Sequence, residues 1–269
     1  MIRMGPLALV VLLVSSLASI TLAQEPSQRE VTLPGAGITL GGLLFQPAAG
    51  DRPLPAMILL HGWGPQGTPG APRMAGSARI LAARGYVALS LSMRGWPNSG
   101  GQDDCGLRQP DDVVSALEWL ATQPGVDPDR MGVLGISQGG QVALLTAVRT
   151  KRTKAVVAIA SVTDVDRWGQ TTTFEGIPGY IRSVCQPTTV RSPVHAATRI
   201  EAPVLLIHGT RDTRVPTEQS LLMRDALRNA NKEVVLHLVP GAEHGFTAEQ
   251  WNQTWPVILD FLTRTLGGR

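Results

Sequence analysis

Cysteine, histidine and lysine are scarce in this chain, and each scarcity closes a class of function. Two cysteines, Cys105 and Cys185, and five scattered histidines make no zinc-binding spacing, so no metal and no other cofactor is expected. Lysine occurs three times, and 24 basic residues face 21 acidic ones. That balance is too even for nucleic acid or an anionic membrane to be the main partner. No linker, charge block or internal repeat divides the 269 residues, whose 43 % hydrophobic content suffices for one full core. The cluster Gly35/Gly37/Gly41 precedes a strand pattern instead of opening a helix, which argues against a dinucleotide fingerprint.

One apolar run stands apart from the rest. Arg3 gives a positive start, Pro6 to Ile20 is almost wholly apolar, and Thr21-Leu-Ala23 supplies small residues before a cut. Residues 1–23 therefore read as a secretory signal peptide, with a mature domain over 24–269 that is periplasmic or secreted. The same run could serve as an uncleaved anchor, but once it is cut no stable membrane insertion is expected. Losing Arg3 leaves 23 basic against 21 acidic residues, a difference of +2. In an oxidising compartment two loop cysteines of one chain often pair, so a structural Cys105–Cys185 disulfide is expected, with two free thiols as the alternative.

Apolar runs near 31–33, 38–46, 55–60, 86–91, 130–135, 155–160, 203–208 and 233–239 read as strands. Helical patterns fill 74–84, 110–122, 140–149, 217–230 and 248–266 between them. Strands and helices alternating at these lengths predict an α/β fold, a mostly parallel central sheet with helices on both faces. Residues 163–199 exceed a simple connection and are rich in polar residues, Gly and Pro.

The most informative motif is Gly135-Ile-Ser-Gln-Gly139, which follows the apolar run Arg130-Met-Gly-Val-Leu and opens a helical stretch. A serine on a tight strand-to-helix turn needs small neighbours, and its hydroxyl stands clear above the sheet edge, so Ser137 is the candidate nucleophile. An acid and a histidine should follow it in the chain. Pro203-Val-Leu-Leu-Ile-His-Gly reads as a buried strand with Asp212 in the loop after it; Glu233-Val-Val-Leu-His-Leu-Val reads as the next, with His244 after it. Strand ends on one side of a parallel sheet converge, so the three side chains can meet. Asp212 could instead serve as an Asx-turn or helix cap. His61 and His208 end strands before glycine and look structural, His237 alternates within a strand, and His195 lies in a loop before one. The strand Pro55-Ala-Met-Ile-Leu-Leu-His-Gly-Trp-Gly brings the N–H of Trp63, or else of Gly64, to the turn at Ser137, where the N–H of Gln138 would complete an oxyanion hole.

With these motifs the chain resembles the α/β-hydrolase superfamily, and within it the prolyl-oligopeptidase-like, dienelactone-hydrolase-like and acetyl-xylan-esterase-like group, over roughly residues 38–265. Further carriers are Ser192-Pro-Val-His through Gly209, Thr210–Pro216, Pro240–Phe246 and Leu91-Ser-Met-Arg-Gly-Trp. The resemblance implies a Ser137–His244–Asp212 triad. Some members take the acid one strand earlier, which makes Asp164 and Asp166 the rivals. Dienelactone hydrolases proper use cysteine where this chain has Ser137, and the propeller that filters peptides in prolyl oligopeptidases is not expected in the roughly forty residues before the resemblance. Residues 163–199 become a cap-like insertion over the nucleophile, in which Trp168, Phe174, Tyr180 and Ile181 could line a pocket opposite Trp63 and Trp96, or merely anchor the loop. Arg94 could bind a substrate carboxylate or order the loops beneath the oxyanion hole. The expectation is a secreted serine hydrolase that cleaves a small-molecule carboxylic ester through an acyl-enzyme. A peptidase of prolyl-oligopeptidase-like type and an extracellular acyltransferase are the alternatives.

Overall fold

The computed structural model describes residues 25–47, 52–65 and 67–267. The expected signal peptide lies outside the described residues. Eight strands form one sheet: β1 (Ser27–Pro34), β2 (Thr39–Gln46), β3 (Leu54–Leu60), β4 (Val87–Leu91), β5 (Val126–Ile136), β6 (Thr153–Ile159), β7 (Val204–Gly209) and β8 (Val234–Val239). Their order across the sheet is β1-β2-β4-β3-β5-β6-β7-β8. β1 and β2 run antiparallel to their neighbours, and every pairing from β4 through β8 is parallel.

Period-two alternation explains why the inner strands are continuous apolar runs. In β3, Ala56, Ile58 and Leu60 pack into one core layer, while Met57 and Leu59 pack into the layer on the other face. β7 divides the same way, Val204 and Leu206 against Leu205 and Ile207. A parallel strand covered on both faces has no solvent side, hence no polar alternation. The first layer is closed by α2 (Gln109–Ala121), α3 (Gln138–Arg149) and α6 (Glu218–Asn229), the second by α1 (Ala75–Ala83) and α7 (Ala248–Leu266).

The long connection from β6 to β7 folds into two short helices, α4 (Val165–Thr171) and α5 (Ile177–Val184), followed by two 3-10 turns. It carries a small core of its own, in which Val165, Trp168, Ile177 and Ile181 gather around Cys105 and Cys185. Those cysteines are bonded, with Cα atoms 5.2 Å apart across 80 residues of sequence, so the expected disulfide is present. Closing a loop of that size stabilises by about 2–4 kcal/mol in the chain-entropy picture. A Cys105→Ala/Cys185→Ala double variant should lose about that much in urea denaturation, and protease should then cut first between residues 163 and 199. An unchanged midpoint and cleavage pattern would mean that the cap core holds without the bond. Among the described residues no helix is long and apolar enough to cross a membrane.

Candidate active site

Every parallel strand delivers its C-terminal end to the same rim of the sheet. Ser137 follows β5 directly and precedes α3, with φ 57° and ψ −120°, a conformation that costs a non-glycine residue of order 1–3 kcal/mol. The turn is possible because of what flanks it. A Cβ on Gly135 would collide with the carbonyl of Gly139, and one on Gly139 would collide with the carbonyl of Leu60. The Ser137 N–H donates to Ile159 O at 2.8 Å, which anchors the turn to β6 and leaves the hydroxyl free to face outward.

The loop after β8 brings His244 over that hydroxyl, with Nε2 3.1 Å from Ser137 Oγ. Nδ1 of the same ring lies 2.7 Å from Asp212 Oδ2 in the loop after β7. An ionised carboxylate only accepts, so Nδ1 carries the proton, Nε2 is left as acceptor, and the Ser137 hydroxyl donates to it. Asp212 is 5 % exposed and works with both oxygens. Oδ1 accepts from the N–H groups of Arg214 and Val215 at 3.0 and 2.9 Å, which is the Asx-turn that a loop aspartate ordinarily makes, while Oδ2 holds His244. His208 Nε2 sits 3.4 Å from Oδ2 as well. Burial opposes ionisation of Asp212, but bonds from His208, His244 and Val215 and the charge available on His244 outweigh it and hold the carboxyl well below the usual carboxylate range. This line can pass the hydroxyl proton to the imidazole while Asp212 stays charged.

The rival acids are occupied elsewhere. Asp164 caps α4 by accepting from Arg167 N–H at 3.0 Å, and Asp166 accepts from the Thr188 hydroxyl at 2.7 Å. Arg94 is buried in an ion pair with Asp112 at 2.7 Å and donates to Ala36 O, so it orders loops and is not open to a substrate carboxylate. His208 is buried between Ser220 Oγ and Val215 O, both at 2.7 Å.

His61 closes the strand β3 from below. Its Nδ1–H donates to Gly62 O at 2.9 Å and its Nε2 accepts from Met93 N–H at 3.1 Å, while Arg73 donates to the same Gly62 oxygen at 2.5 Å. A Cβ on Gly62 would stand 3.1 Å from that of Ser137. With the Gly62 carbonyl held by His61 and Arg73, the trans peptide turns the Trp63 N–H the opposite way. Burial, helped by Arg73, pushes the His61 pKa down to about 4 despite the bond to Gly62. A second proton would point Nε2–H at the Met93 N–H. The unfolded chain binds that proton more readily, so this stability is complete above the ordinary histidine range near 6.5 and falls as pH drops toward 4. A loss of about 2 kcal/mol between pH 7.5 and pH 5 is expected in urea titrations, absent in His61→Asn. Identical pH slopes for the two proteins would contradict it.

A cavity of about 620 Å³, its open mouth included, adjoins Ser137 and His244. Trp168, Phe174 and Tyr180 line it opposite Trp63, as the sequence suggested, while Ile181 is held in the cap core and Trp96 packs on His61 with ring centres 4.9 Å apart. Ile177 and Arg214 also line it and were not foreseen; Arg214 lies over the Phe174 ring at 4.3 Å. Asp103 was missed altogether. Its carboxylate gathers Tyr180 Oη (2.6 Å), Gln138 Nε2 (2.9 Å), Gln109 Nε2 (3.0 Å) and Cys105 N (3.2 Å), so it ties the β6–β7 connection, the disulfide and the Ser137 turn together. Burial raises its pKa against those bonds, and burial with the neighbouring Asp103 charge raises that of the Tyr180 hydroxyl, which stays a donor. The available signal was position alone, a carboxylate in the loop after β4.

Comparison with known proteins agrees with this geometry. The chain is 31 % identical over 237 residues to "Uncharacterized peptidase YuxL" of Bacillus subtilis (strain 168), covering 78 % of this chain and 34 % of that protein. It is 29 % identical over 253 residues to "Putative carboxymethylenebutenolidase" of Escherichia coli (strain K12), covering 87 % of this chain and 84 % of the other. Among solved structures, a puromycin-hydrolyzing peptidase of Mycobacterium tuberculosis superposes with a TM-score of 0.80 at 23 % identity, over 91 % of this chain and 40 % of that one, which establishes the α/β-hydrolase fold. The chain thus spans about a third of the length of the first of these relatives. Residues 72–269, which include the nucleophile turn and the loops of Asp212 and His244, match the prolyl oligopeptidase family, and the chain belongs to that family of serine hydrolases.

Proposed function

We propose that this protein is a peptidase that cleaves the amide bond of a short peptide or aminoacyl amide through an acyl-enzyme on Ser137. The carrying observation is the unbroken hydrogen-bonded line from Ser137 Oγ through His244 to Asp212. In this reading Ser137 attacks the carbonyl as His244 takes its proton; His244 returns that proton to the leaving amine, and water then repeats the cycle to free the acid. Asp212 keeps the imidazole in the required tautomer. The N–H groups of Gln138, at the start of α3, and Trp63 receive the oxyanion, a role supported by the way Gly62 O is held on the far side of its peptide. The family favours a peptide bond over the ester that the sequence alone suggested.

A second reading, hydrolysis of an ester or lactone, draws support from the butenolidase match, which spans most of both chains. Rates on matched aminoacyl p-nitroanilides and p-nitrophenyl esters decide between them. A fluorophosphonate label on Ser137 with turnover of anilides upholds the peptidase reading; esters cleaved and anilides untouched would shift it to the second. Export belongs to the same proposal, supported by the apolar run before Gln24 and by a disulfide suited to an oxidising compartment. A secreted or periplasmic product whose mass begins at Gln24 is expected, and an uncut cytoplasmic protein would refute it.

A further inference from the structure

Arg73 stands on the short 3-10 turn Ala71–Met74, and two serines pin that turn: Ser92 Oγ accepts from Ala71 N–H at 2.9 Å, and Ser90 Oγ donates to Ala71 O at 2.5 Å. From there Nη1 donates to Gly62 O. Nη2 would lie 3.8 Å from a Cβ on Gly62, the same position that stands 3.1 Å from Ser137 Cβ. The guanidinium is thus placed just behind the nucleophile turn. Among the described residues it forms no ion pair, and partial burial lowers its pKa with no carboxylate to oppose the shift. Holding the Gly62 carbonyl does not call for a charge, because the neutral His61 already donates to that oxygen at 2.9 Å. A cation with no acid beside it, spent on one neutral carbonyl, is kept at a cost that packing does not explain.

The carbonyl that Arg73 holds is one end of a conjugated group. Gly62 C=O and Trp63 N–H belong to a single planar amide, so donors at its oxygen draw electron density from its nitrogen and leave the N–H a stronger donor. A charged donor does this more strongly than a neutral one. We propose that Arg73 is a positioning residue of the oxyanion hole, whose charge, acting through the Gly62–Trp63 peptide, strengthens the Trp63 N–H toward the negative oxygen that forms on attack by Ser137. The effect belongs to the transition state, because the carbonyl of a bound substrate carries far less charge than the oxyanion; kcat is raised and binding is left nearly alone. The inference rests on the Trp63 N–H receiving the oxyanion, as proposed above, and holds for an ester or an amide substrate alike.

The test sets Arg73→Met, which removes the charge, beside Arg73→Lys, which keeps a charged donor. The single bond from Nη1 does not need the guanidinium fork, so lysine can serve. The substrate is the p-nitrophenyl ester or aminoacyl p-nitroanilide that the wild type turns over fastest. On it Arg73→Met should lose about tenfold or more in kcat with KM within about twofold, less than the hundredfold or more, roughly, that a missing oxyanion donor costs. Labelling of Ser137 by a fluorophosphonate, whose phosphoryl oxygen enters the same hole, should slow by a similar factor. Arg73→Lys should stay within about threefold of the wild type in both measurements. Both variants should keep the wild-type unfolding midpoint, since His61 still holds the Gly62 carbonyl. Wild-type kcat in Arg73→Met, a loss confined to KM, a lysine variant as slow as the methionine one, or a variant that no longer folds each overturns the proposal. If the wild type itself takes no fluorophosphonate and cleaves no ester or anilide, the hydrolase reading has failed and this inference with it.

Discussion

Ser137→Ala should leave a folded protein whose turnover is lower by about five orders of magnitude, roughly 7 kcal/mol of transition-state stabilisation. The fold should survive because alanine meets the same backbone penalty at φ 57° that serine already bears, and among the described residues the only side-chain bond removed is the one to His244 Nε2. Stability within about 1 kcal/mol of the wild type is therefore the companion result. Single-turnover assays with a p-nitrophenyl ester, together with a denaturation curve, measure both. A folded variant that keeps more than about a tenth of the activity sinks the nucleophile assignment, since removing the attacking atom cannot cost so little.

Asp212→Asn should lower kcat by about four orders of magnitude with little change in KM. The asparagine oxygen can still accept from the Arg214 and Val215 N–H groups, so the Asx-turn persists. Its NH2 then faces His244 Nδ1, which has to become an acceptor, and the ring proton moves to Nε2, pointing at Ser137 Oγ where a lone pair is needed. Asp164→Asn makes the contrast, because asparagine caps α4 as well as aspartate does and the residue serves no other visible purpose. Its activity should stay within about threefold of wild type, as is usual for a surface substitution away from the reacting atoms. Comparable losses in the two variants would take the acid role away from Asp212. The depressed carboxyl pKa adds a sign that can be checked: Asp212 contributes stability above the ordinary carboxylate range and loses it as pH falls through its lowered folded value, so near neutrality this contribution is flat.

All eight strands were legible in the sequence, and β2, β3, β4, β7 and β8 lie within one residue of the runs read as strands. In β4 and β7 total burial leaves no exposed polar position to blur the run. β5 begins four residues earlier than its apolar run, at Val126, which pairs with Leu54 at the start of β3, and Asp127-Pro-Asp129 falls in the register shift before Met131 pairs with Ala56. α4 and α5 were invisible. Each has seven or eight residues, too short for a periodic signal, and their apolar faces find partners in one another, the disulfide, Val162 and Val215.

The hydrogen-bonded line of Ser137, His244 and Asp212 was readable because each member is pinned to a local pattern: a glycine-flanked turn between strand and helix, and two loops that end parallel strands. Backbone sterics write such patterns into adjacent residues. The roles of Asp103 and Ile177 carry no such imprint, for Asp103 is a lone carboxylate in a polar loop until Tyr180 and Gln138 arrive from two distant segments. Sequence by itself determined the sheet, the nucleophile turn and the order of acid and base, all consequences of short-range geometry and burial. Which donors saturate Asp103 was decided only by the tertiary structure, because hydrogen bonds between side chains 35 and 77 residues apart depend on packing that no local pattern encodes.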